Sequence, residues 1–181
     1  MSRPDYLLFD RTTRALIYGL QTKAVQRMLD FDYCCRRDTP SVAAMIDPGK
    51  SGSEKMFWGK KEIFIPVYGD IKSALQANAD VDVFINFASF RSAYDTTLEA
   101  MTFDQIRTLV VIAEGIPERQ ARHMRAVSQQ RGKVIIGPAT VGGITAGAFK
   151  VANTGGTIES IIESKLHRPG SVGFVSKSGG M

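Results

Sequence analysis

Cysteine and histidine are scarce in this chain of 181 residues, which has only two of each. Cys34 and Cys35 are adjacent, and because a disulfide between adjacent residues strains the backbone, both are expected to be reduced thiols of a cytoplasmic protein. His123 and His167 lie far apart, and the cysteines do not have the spacing of zinc ligands. The sequence therefore predicts no metal site.

Long apolar runs are also absent. No stretch approaches the roughly 20 apolar residues that a membrane-spanning helix requires, and residues 1–5 contain no apolar signal-peptide core. No membrane partner is expected. The net charge of +5 favours anionic partners. Nucleic acid is not expected among them, because the basic doublets Arg36-Arg37 and Lys60-Lys61 are each followed closely by an acidic residue.

The chain does contain a regular alternation of short apolar runs and amphipathic stretches. Such alternation is typical of an α/β fold in which helices connect the strands of a parallel sheet. The expected strands are Ala15 to Tyr18, Val42 to Ile46, Val83 to Phe87, Leu109 to Ala113 and Val134 to Ile136. The expected helices are Lys23 to Tyr33, Asp70 to Ala77, Ser92 to Met101 and Pro117 to Gln130.

Two segments depart from this alternation. Residues 54–69, EKMFWGKKEIFIPVYG, predict a small hairpin or an edge strand. From Gly137 the sequence is crowded with glycine, and TIESIIESKLHRPG then predicts a short helix and a turn. We therefore expect one domain over residues 1–140, a connector over 141–170, and the start of a second, truncated α/β domain over 171–181. A strand from Val172 to Val175 would open that second domain.

The turns after the first two predicted strands indicate the kind of ligand. In a doubly wound sheet, phosphate groups lie at the carboxyl ends of the strands, where helices begin. The first turn, YGLQTKAVQ, keeps only Gly19 of the three glycines that a dinucleotide site uses. The second strand reaches Asp47, but Lys50 follows, and a lysine suits an added phosphate group better than a bare ribose. These turns argue against NAD.

Six segments carry a resemblance to a known family: RTTRALIYGLQTKAVQRMLDFDY, PSVAAMIDPG, DVFINFASFRSAYD, VVIAEGIPE, IIGPATVGGITAGAFKVANTGG and RPGSVGFVSKSGGM. They strongly resemble the citryl-CoA synthetase part of the ATP-citrate lyase family and, more distantly, the α subunit of succinyl-CoA synthetase. The resemblance covers Phe9 to Met181. It implies a Rossmann-like CoA-binding domain with a parallel sheet, followed by the first strand of a truncated flavodoxin-like domain.

The resemblance also implies an activity. Enzymes of this family convert citrate, CoA and ATP to acetyl-CoA, oxaloacetate, ADP and phosphate through a phosphohistidine, citryl phosphate and citryl-CoA. CoA is the cofactor implied for this segment, whereas ATP and Mg are bound mainly outside it. The implied partners are an ATP-grasp subunit or domain and a citrate synthase-like C-terminal domain, in a hetero-oligomer. Because the sequence lacks the family's Gly-His-Ala-Gly motif, we expect an N-terminal fragment of a longer subunit, inactive alone.

Matching positions assign two groups of residues to CoA. Lys50 matches the lysine of the Pro-Gly-Lys turn that contacts CoA in succinyl-CoA synthetases, and a solvated loop lysine is the alternative. The positions of the first turn that contact CoA in that relative are here Gln21, Thr22, Lys23 and Ala24. Lys23 supplies a point charge where the relative has glycines. Otherwise it is a helix lysine poorly placed against the dipole.

Further matches concern the chemistry. Glu114 matches an acid close to the phosphohistidine, and Ile112 and Ala113 before it are assigned to the CoA site; the alternative is an acid favoured by a helix dipole. The loop assigned to the acyl and thiol end of CoA comprises Gly137, Pro138, Ala139 and Thr140, although a domain-crossing turn would also use glycine here. The turn assigned to phosphate comprises Ser178, Gly179 and Gly180.

Other functions remain open beside this enzyme. The chain is alternatively a CoA- or nucleotide-binding module without chemistry, or a subunit of another acyl-CoA ligase similar to succinyl-CoA synthetase. The presence of the Gly-His-Ala-Gly segment in the parent gene would decide for the enzyme.

Overall fold

The computed structural model describes residues 7–176. Seven strands form its main sheet: β1 (Ala15–Tyr18), β2 (Val42–Ile46), β3 (Gly52–Trp58), β4 (Lys61–Tyr68), β5 (Val83–Asn86), β6 (Thr108–Val111) and β7 (Val134–Ile136). The helices are α1 (Thr22–Cys34), α2 (Ile71–Ala77), α3 (Ala93–Met101), α4 (Glu118–Gln130) and α5 (Ile158–Glu163). Two short strands, β8 (Ile144–Thr145) and β9 (Phe149–Lys150), form a separate antiparallel pair.

The strand order in the main sheet is β3-β4-β2-β1-β5-β6-β7. All neighbouring pairs are parallel except β3 and β4, which form an antiparallel hairpin at one edge. Without β3, the order matches that of the dinucleotide-binding folds. The predicted Rossmann-like α/β fold with a parallel sheet is therefore confirmed, and so is the hairpin predicted between residues 54 and 69.

Helices cover both faces of the sheet, which explains why its central strands are apolar along their whole length. On one face, strand residues such as Ile17 and Met45 pack with Val25 and Met28 of α1. On the other face, strand residues such as Leu16, Ile46 and Phe84 pack with residues of α2, α3 and α4. No helix within residues 7–176 is long and apolar enough to cross a lipid bilayer.

Helix starts agree closely with the sequence. Asp70 caps α2, because its carboxylate accepts a hydrogen bond from the backbone N–H of Ser73 at 2.8 Å. Pro117 was expected at the first helical position, but α4 begins one residue later, at Glu118. Pro117 has an extended ψ of 141° and so precedes the helix.

The expected strand from Val172 to Val175 is wrong for the described structure, because these residues adopt no strand. Their apolar side chains are exposed, with 80% of the surface of Phe174 accessible. A strand requires a neighbouring strand to satisfy its backbone, and residues 7–176 provide none beside this segment. The predicted phosphate turn, Ser178 to Gly180, lies outside the described residues.

The predicted connector packs into the core of the main sheet. Phe149 is fully buried, and its ring stacks on that of Phe9 with the ring centroids 5.0 Å apart. Ala148, Val151 and Ala152 belong to the same apolar cluster as α1 and β1. The division of the chain at residues 140 and 170 stays a prediction.

A buried charged cluster joins this connector to the rest of the domain. The carboxylate of Asp32 lies 3.6 Å from the Nε of Arg37, and both side chains are inaccessible to solvent. The Arg37 guanidinium also donates to the carbonyls of Ala148 at 2.6 Å and Thr13 at 2.8 Å. Burial raises the pKa of Asp32 to about 6, so the carboxylate is ionised at pH 7. Its charge is stabilised by hydrogen bonding from Ser41, whose N–H donates to it at 2.7 Å, and by the cations Arg37 and Lys150.

Lys150 is the second buried cation, and it makes folding sensitive to alkaline pH. Its ammonium donates to the carbonyl of Ala152 at 2.8 Å. Burial, reinforced by the charge of Arg27, lowers its pKa from 10.5 to about 8. The folded state therefore releases this proton near pH 8 and the unfolded state only near pH 10.5. Since the unfolded state binds more protons between these values, stability should rise across this range.

We expect the free energy of unfolding to gain about 2–3 kcal/mol from Lys150 between pH 8 and pH 10.5. Urea unfolding at a series of pH values measures this gain. The Lys150→Met variant keeps the length of the side chain without the charge, and the difference between the two curves removes the titration of all other groups. Parallel curves for the two proteins would contradict this assignment.

Candidate nucleotide site

The candidate site lies at the carboxyl edge of the parallel strands. From β1 the chain moves to β2 and β4 on one side, and it later returns to β5, β6 and β7 on the other side. The topological switch point is therefore between β1 and β5, where open α/β sheets bind their ligands. The loops that follow β1, β2, β5, β6 and β7 all meet at this edge.

The loop after β1 brings the start of α1 to the switch point. Gly19 has a φ of +102°, and a Cβ at this position would lie 3.4 Å from the Cβ of Phe87, so glycine suits both the conformation and the space. Gln21 precedes the helix, and its side chain makes no cap hydrogen bond to the described part of the chain. The first turn contains no acidic residue, and Lys23 on it is exposed.

The backbone of this first turn is suited to an anion. The first N–H groups of a helix have no intrahelical acceptor, and the helix dipole is positive at this end. Four residues predicted to bind CoA lie here, and they are Gln21, Thr22, Lys23 and Ala24. The geometry thus provides N–H donors and one ammonium group at a single turn, as phosphate sites at helix N-termini do.

Lys50 lies at the neighbouring strand end. β2 pairs with β1 in parallel, and Tyr18 is level with Ile46, so the loops after both strands start at the same height. The turn is closed by a hydrogen bond from the N–H of Lys50 to the carbonyl of Asp47 at 3.0 Å. The Lys50 ammonium lies 3.2 Å from the carboxylate of Glu54, and about half of the lysine side chain is exposed.

Glu114 lies at the other side of the switch point, in the loop after β6. The N–H of Ile112 donates to the carbonyl of Asn86 at 3.0 Å, which ties the beginning of this loop to β5. The carbonyl of Ala113 accepts from the N–H of Ala139 at 2.9 Å, which ties it to the loop after β7. The Glu114 carboxylate is exposed and has no ion-pair partner among residues 7–176.

The glycine–proline loop packs against this same strand end. The Gly137–Pro138 peptide is cis, and Gly137 has a φ of +98°. A Cβ on Gly137 would lie 2.4 Å from the carbonyl oxygen of Val111, so only glycine fits. Thr140 accepts a hydrogen bond from the N–H of Gly142 through its hydroxyl oxygen at 3.1 Å. The structure therefore brings the predicted loop of residues 137–140 beside Ala113 and Glu114.

The predicted residues thus form two clusters rather than one. The first cluster is the α1 turn with Lys50, at the ends of β1 and β2. The second is the Glu114 loop with residues 137–140, at the ends of β6 and β7. Because β5 separates β1 from β6, the clusters are at least two strand spacings apart, or about 10 Å. This separation fits a long ligand whose phosphate groups and reactive end are held at different places.

Sequence reasoning missed the loop between these clusters and the residue that holds it. Asn86 at the end of β5 is fully buried, and its amide nitrogen lies within 3.1 Å of the carbonyl of Ala93 and the hydroxyls of Thr96 and Thr97. Its amide oxygen accepts from the N–H of Ala88 at 2.8 Å. A polar residue at the end of an otherwise apolar strand was the available signal.

The described side chains form no cluster for a metal ion. Within residues 7–176, no group of three histidine, cysteine, aspartate or glutamate residues is arranged to hold one. Cys34 and Cys35 are free thiols, and burial raises the pKa of Cys35 to about 11.

This chain is similar to known proteins. The CoA binding domain family matches residues 10–115. A probable ATP-citrate synthase subunit 1 of Schizosaccharomyces pombe is 57% identical over 182 residues, covering 100% of this chain and 30% of that protein.

Two solved structures are similar as well. ATP citrate lyase of Methanosaeta concilii, a mutant in complex with (3S)-citryl-CoA, is 60% identical, with a TM-score of 0.95. ATP citrate lyase of Methanothrix soehngenii, in complex with citrate and coenzyme A, gives the same two values. Each match covers 97% of this chain and 29% of the solved chain. Together with the family match and the strand order, these similarities show that the chain belongs to the CoA binding domain family.

Proposed function

We propose that this chain is the CoA-binding part of an ATP-citrate lyase, which converts citrate, CoA and ATP to acetyl-CoA, oxaloacetate, ADP and phosphate. The observation that carries the proposal is the close structural match to ATP citrate lyases solved with citryl-CoA or with citrate and coenzyme A. The chain spans about 30% of the length of these relatives. The whole reaction therefore requires further domains, and the chain alone is inactive.

The further parts of the enzyme are proposed from the same family. An ATP-grasp subunit or domain binds ATP and Mg, and a citrate synthase-like C-terminal domain belongs to the same enzyme. These parts assemble with this chain as a cytoplasmic hetero-oligomer, and CoA and citrate are its small-molecule partners. The free thiols of Cys34 and Cys35 are consistent with a reducing compartment.

The nucleotide end of CoA is placed at the first cluster. The N–H groups of Thr22, Lys23 and Ala24 face the pyrophosphate, with the side chains of Gln21 and Lys23 beside it. Lys50 takes the 3′-phosphate, because it follows β2, where dinucleotide folds bind the ribose. The support for this placement is the uncapped N-terminus of α1 and the level register of β1 and β2.

The thiol end of CoA is placed at the second cluster. The pantetheine arm runs past β5 to Ile112 and Ala113, and residues 137–140 lie beside the acyl group. Glu114 orients the phosphohistidine, or handles its proton, and another part of the enzyme supplies that histidine. The turn from Ser178 to Gly180 is proposed to hold phosphate. The hydrogen bond between Ala139 and Ala113 supports a common role for the first two of these loops.

Calorimetry on the chain should show that CoA binds more tightly than dephospho-CoA or NAD. The difference arises at Lys50, since a charge-assisted hydrogen bond to a phosphate contributes about 1.5–3 kcal/mol. Half of the Lys50 side chain is exposed, so we expect the lower end of this range. Lys50→Ala should therefore weaken CoA about tenfold and leave the affinity for dephospho-CoA nearly unchanged.

Lys60→Ala is the matched control for this measurement. Lys60 is an exposed lysine at the turn of the same hairpin, so its replacement removes an equal charge away from the proposed site. Its effect on the affinity for CoA should remain below twofold. Equal affinities of the chain for CoA and NAD would contradict the proposed function.

A further inference from the structure

The Lys50 ammonium already has an anionic partner on the described chain. The carboxylate of Glu54 lies 3.2 Å from it, and the side chains are 52% and 30% exposed. Lys50 lies in the turn before β3, and Glu54 lies on β3 itself, opposite Ile65 of β4. This pairing across a turn was not predicted from the sequence.

Strand geometry fixes the side of the sheet on which Glu54 lies. Side chains alternate along a strand, so Glu54 and Met56 share one face while Lys55 points to the other. Met56 is buried in the apolar cluster that includes Val25 and Met28 of α1. Glu54 therefore lies on the α1 side, and its ion pair draws Lys50 to the same side as the uncapped first turn of α1.

We infer that Glu54 is a specificity-determining residue of this site, which competes with the 3′-phosphate of CoA for Lys50. This inference rests on the proposed function. In the described structure the carboxylate of Glu54 pairs with the Lys50 ammonium and holds it in position. An arriving phosphate group must displace the carboxylate or share the ammonium with it, and two anions beside one cation repel each other. Since β3 is fixed by its pairing with β4, the carboxylate moves only as far as side-chain rotation allows.

Glu54 is therefore expected to lower the affinity of the chain for CoA and to leave its affinity for dephospho-CoA almost unchanged. Glu54→Gln keeps the size of the side chain and removes its charge. A partly exposed ion pair such as Lys50–Glu54 contributes little free energy, so its removal should change the affinity only modestly. We expect Glu54→Gln to bind CoA about threefold to tenfold more tightly. The affinity for dephospho-CoA should change by less than about twofold, because that ligand has no phosphate group at Lys50.

Calorimetry with CoA and dephospho-CoA tests this competition on four proteins. They are the unchanged chain, Glu54→Gln, Lys50→Ala and the double variant. The gain from Glu54→Gln should fall below about twofold when Lys50 is already alanine, because the two residues act through one contact. Glu62→Gln is the matched control, since Glu62 pairs with Lys55 at the same distance of 3.2 Å on the opposite face of the hairpin.

The outcomes separate this inference from the proposed function. If Lys50→Ala weakens CoA but Glu54→Gln leaves it unchanged or weakens it, the competition is overturned and the proposed function stands. Equal tightening of CoA and dephospho-CoA also overturns it, because it indicates a general effect of charge. If Lys50→Ala changes the affinity for neither ligand, Lys50 does not contact the 3′-phosphate, and the competition is overturned together with the role proposed for Lys50. The proposed function fails separately, if the chain binds CoA and NAD with equal affinity.

Discussion

Replacing Arg37 by leucine is expected to lower the free energy of unfolding by about 3–5 kcal/mol, the cost of removing one partner from a buried ion pair. The guanidinium is 1% exposed and lies beside the fully buried carboxylate of Asp32. Without the guanidinium, the charge of the Asp32 carboxylate remains buried and has lost its nearest cation. The carbonyls of Ala148 and Thr13 also lose hydrogen-bond donors. Urea unfolding monitored by circular dichroism measures the change.

Two further variants make this experiment specific. Arg119→Leu removes an exposed arginine from α4, and its effect should stay within about 0.5 kcal/mol. Adding Asp32→Asn to Arg37→Leu removes the uncompensated charge, so the double variant should recover part of the lost stability. A loss below about 1 kcal/mol in Arg37→Leu, or no recovery in the double variant, would refute the role assigned to the pair.

Several strands of the parallel sheet were predictable because their signal is local. The strands Ala15–Tyr18, Val42–Ile46 and Val134–Ile136 have the bounds that their apolar runs predict. The strand expected to reach Phe87 ends at Asn86, because the Asn86 side chain binds the following turn to α3. A short apolar run in the sequence therefore identifies a strand of the parallel sheet, whereas the last residue of the strand depends on tertiary hydrogen bonds.

The burial of the connector was not predictable because its contacts are distant in sequence. Arg37 donates to Ala148, which is 111 residues away along the chain. A charged residue and a glycine-rich segment both resemble surface structure when they are considered alone. Lys150 beside Phe149 is likewise buried only because α1 covers it, and no periodicity in the sequence indicates that cover. Burial of such residues follows from packing rather than from local pattern.

The loops of the candidate site were predictable from the sequence, but the ion pairs between its side chains were not. The rule that ligands bind at strand ends selected the turns containing Lys23 and Lys50, whereas the family resemblance selected Glu114. Topology brings these turns to one edge. The ion pair between Lys50 and Glu54 depends on how the chain enters β3, and the sequence does not specify this. Partner residues of a site therefore required the structure, whereas its loops did not.

In the complete enzyme, Glu114→Gln is expected to slow phosphate transfer through the histidine by about 10²–10⁴, the usual contribution of a positioned acid–base group. The substitution keeps the size of the side chain and removes its charge and its ability to accept a proton. Folding should hardly change, since the carboxylate is exposed and has no ion-pair partner within residues 7–176. The affinity for CoA should stay near that of the unchanged enzyme, because the proposed contact of this loop with CoA is made mainly through its backbone.

Two measurements separate this role from that of an acidic residue that only stabilises the positive end of a helix dipole. They are the rate of single-turnover phosphorylation and the thermal stability of the variant. A dipole acid predicts the reverse pattern, with about 0.3–1 kcal/mol of stability lost and phosphorylation intact. Glu118→Gln is the matched control, because Glu118 lies in the first turn of α4 and pairs with Arg122 at 2.6 Å. It should lose a little stability and keep the rate of phosphorylation. A normal rate in Glu114→Gln would show that Glu114 only supports the loop after β6, since a group that handles a proton in the rate-limiting step cannot lose its charge without slowing that step.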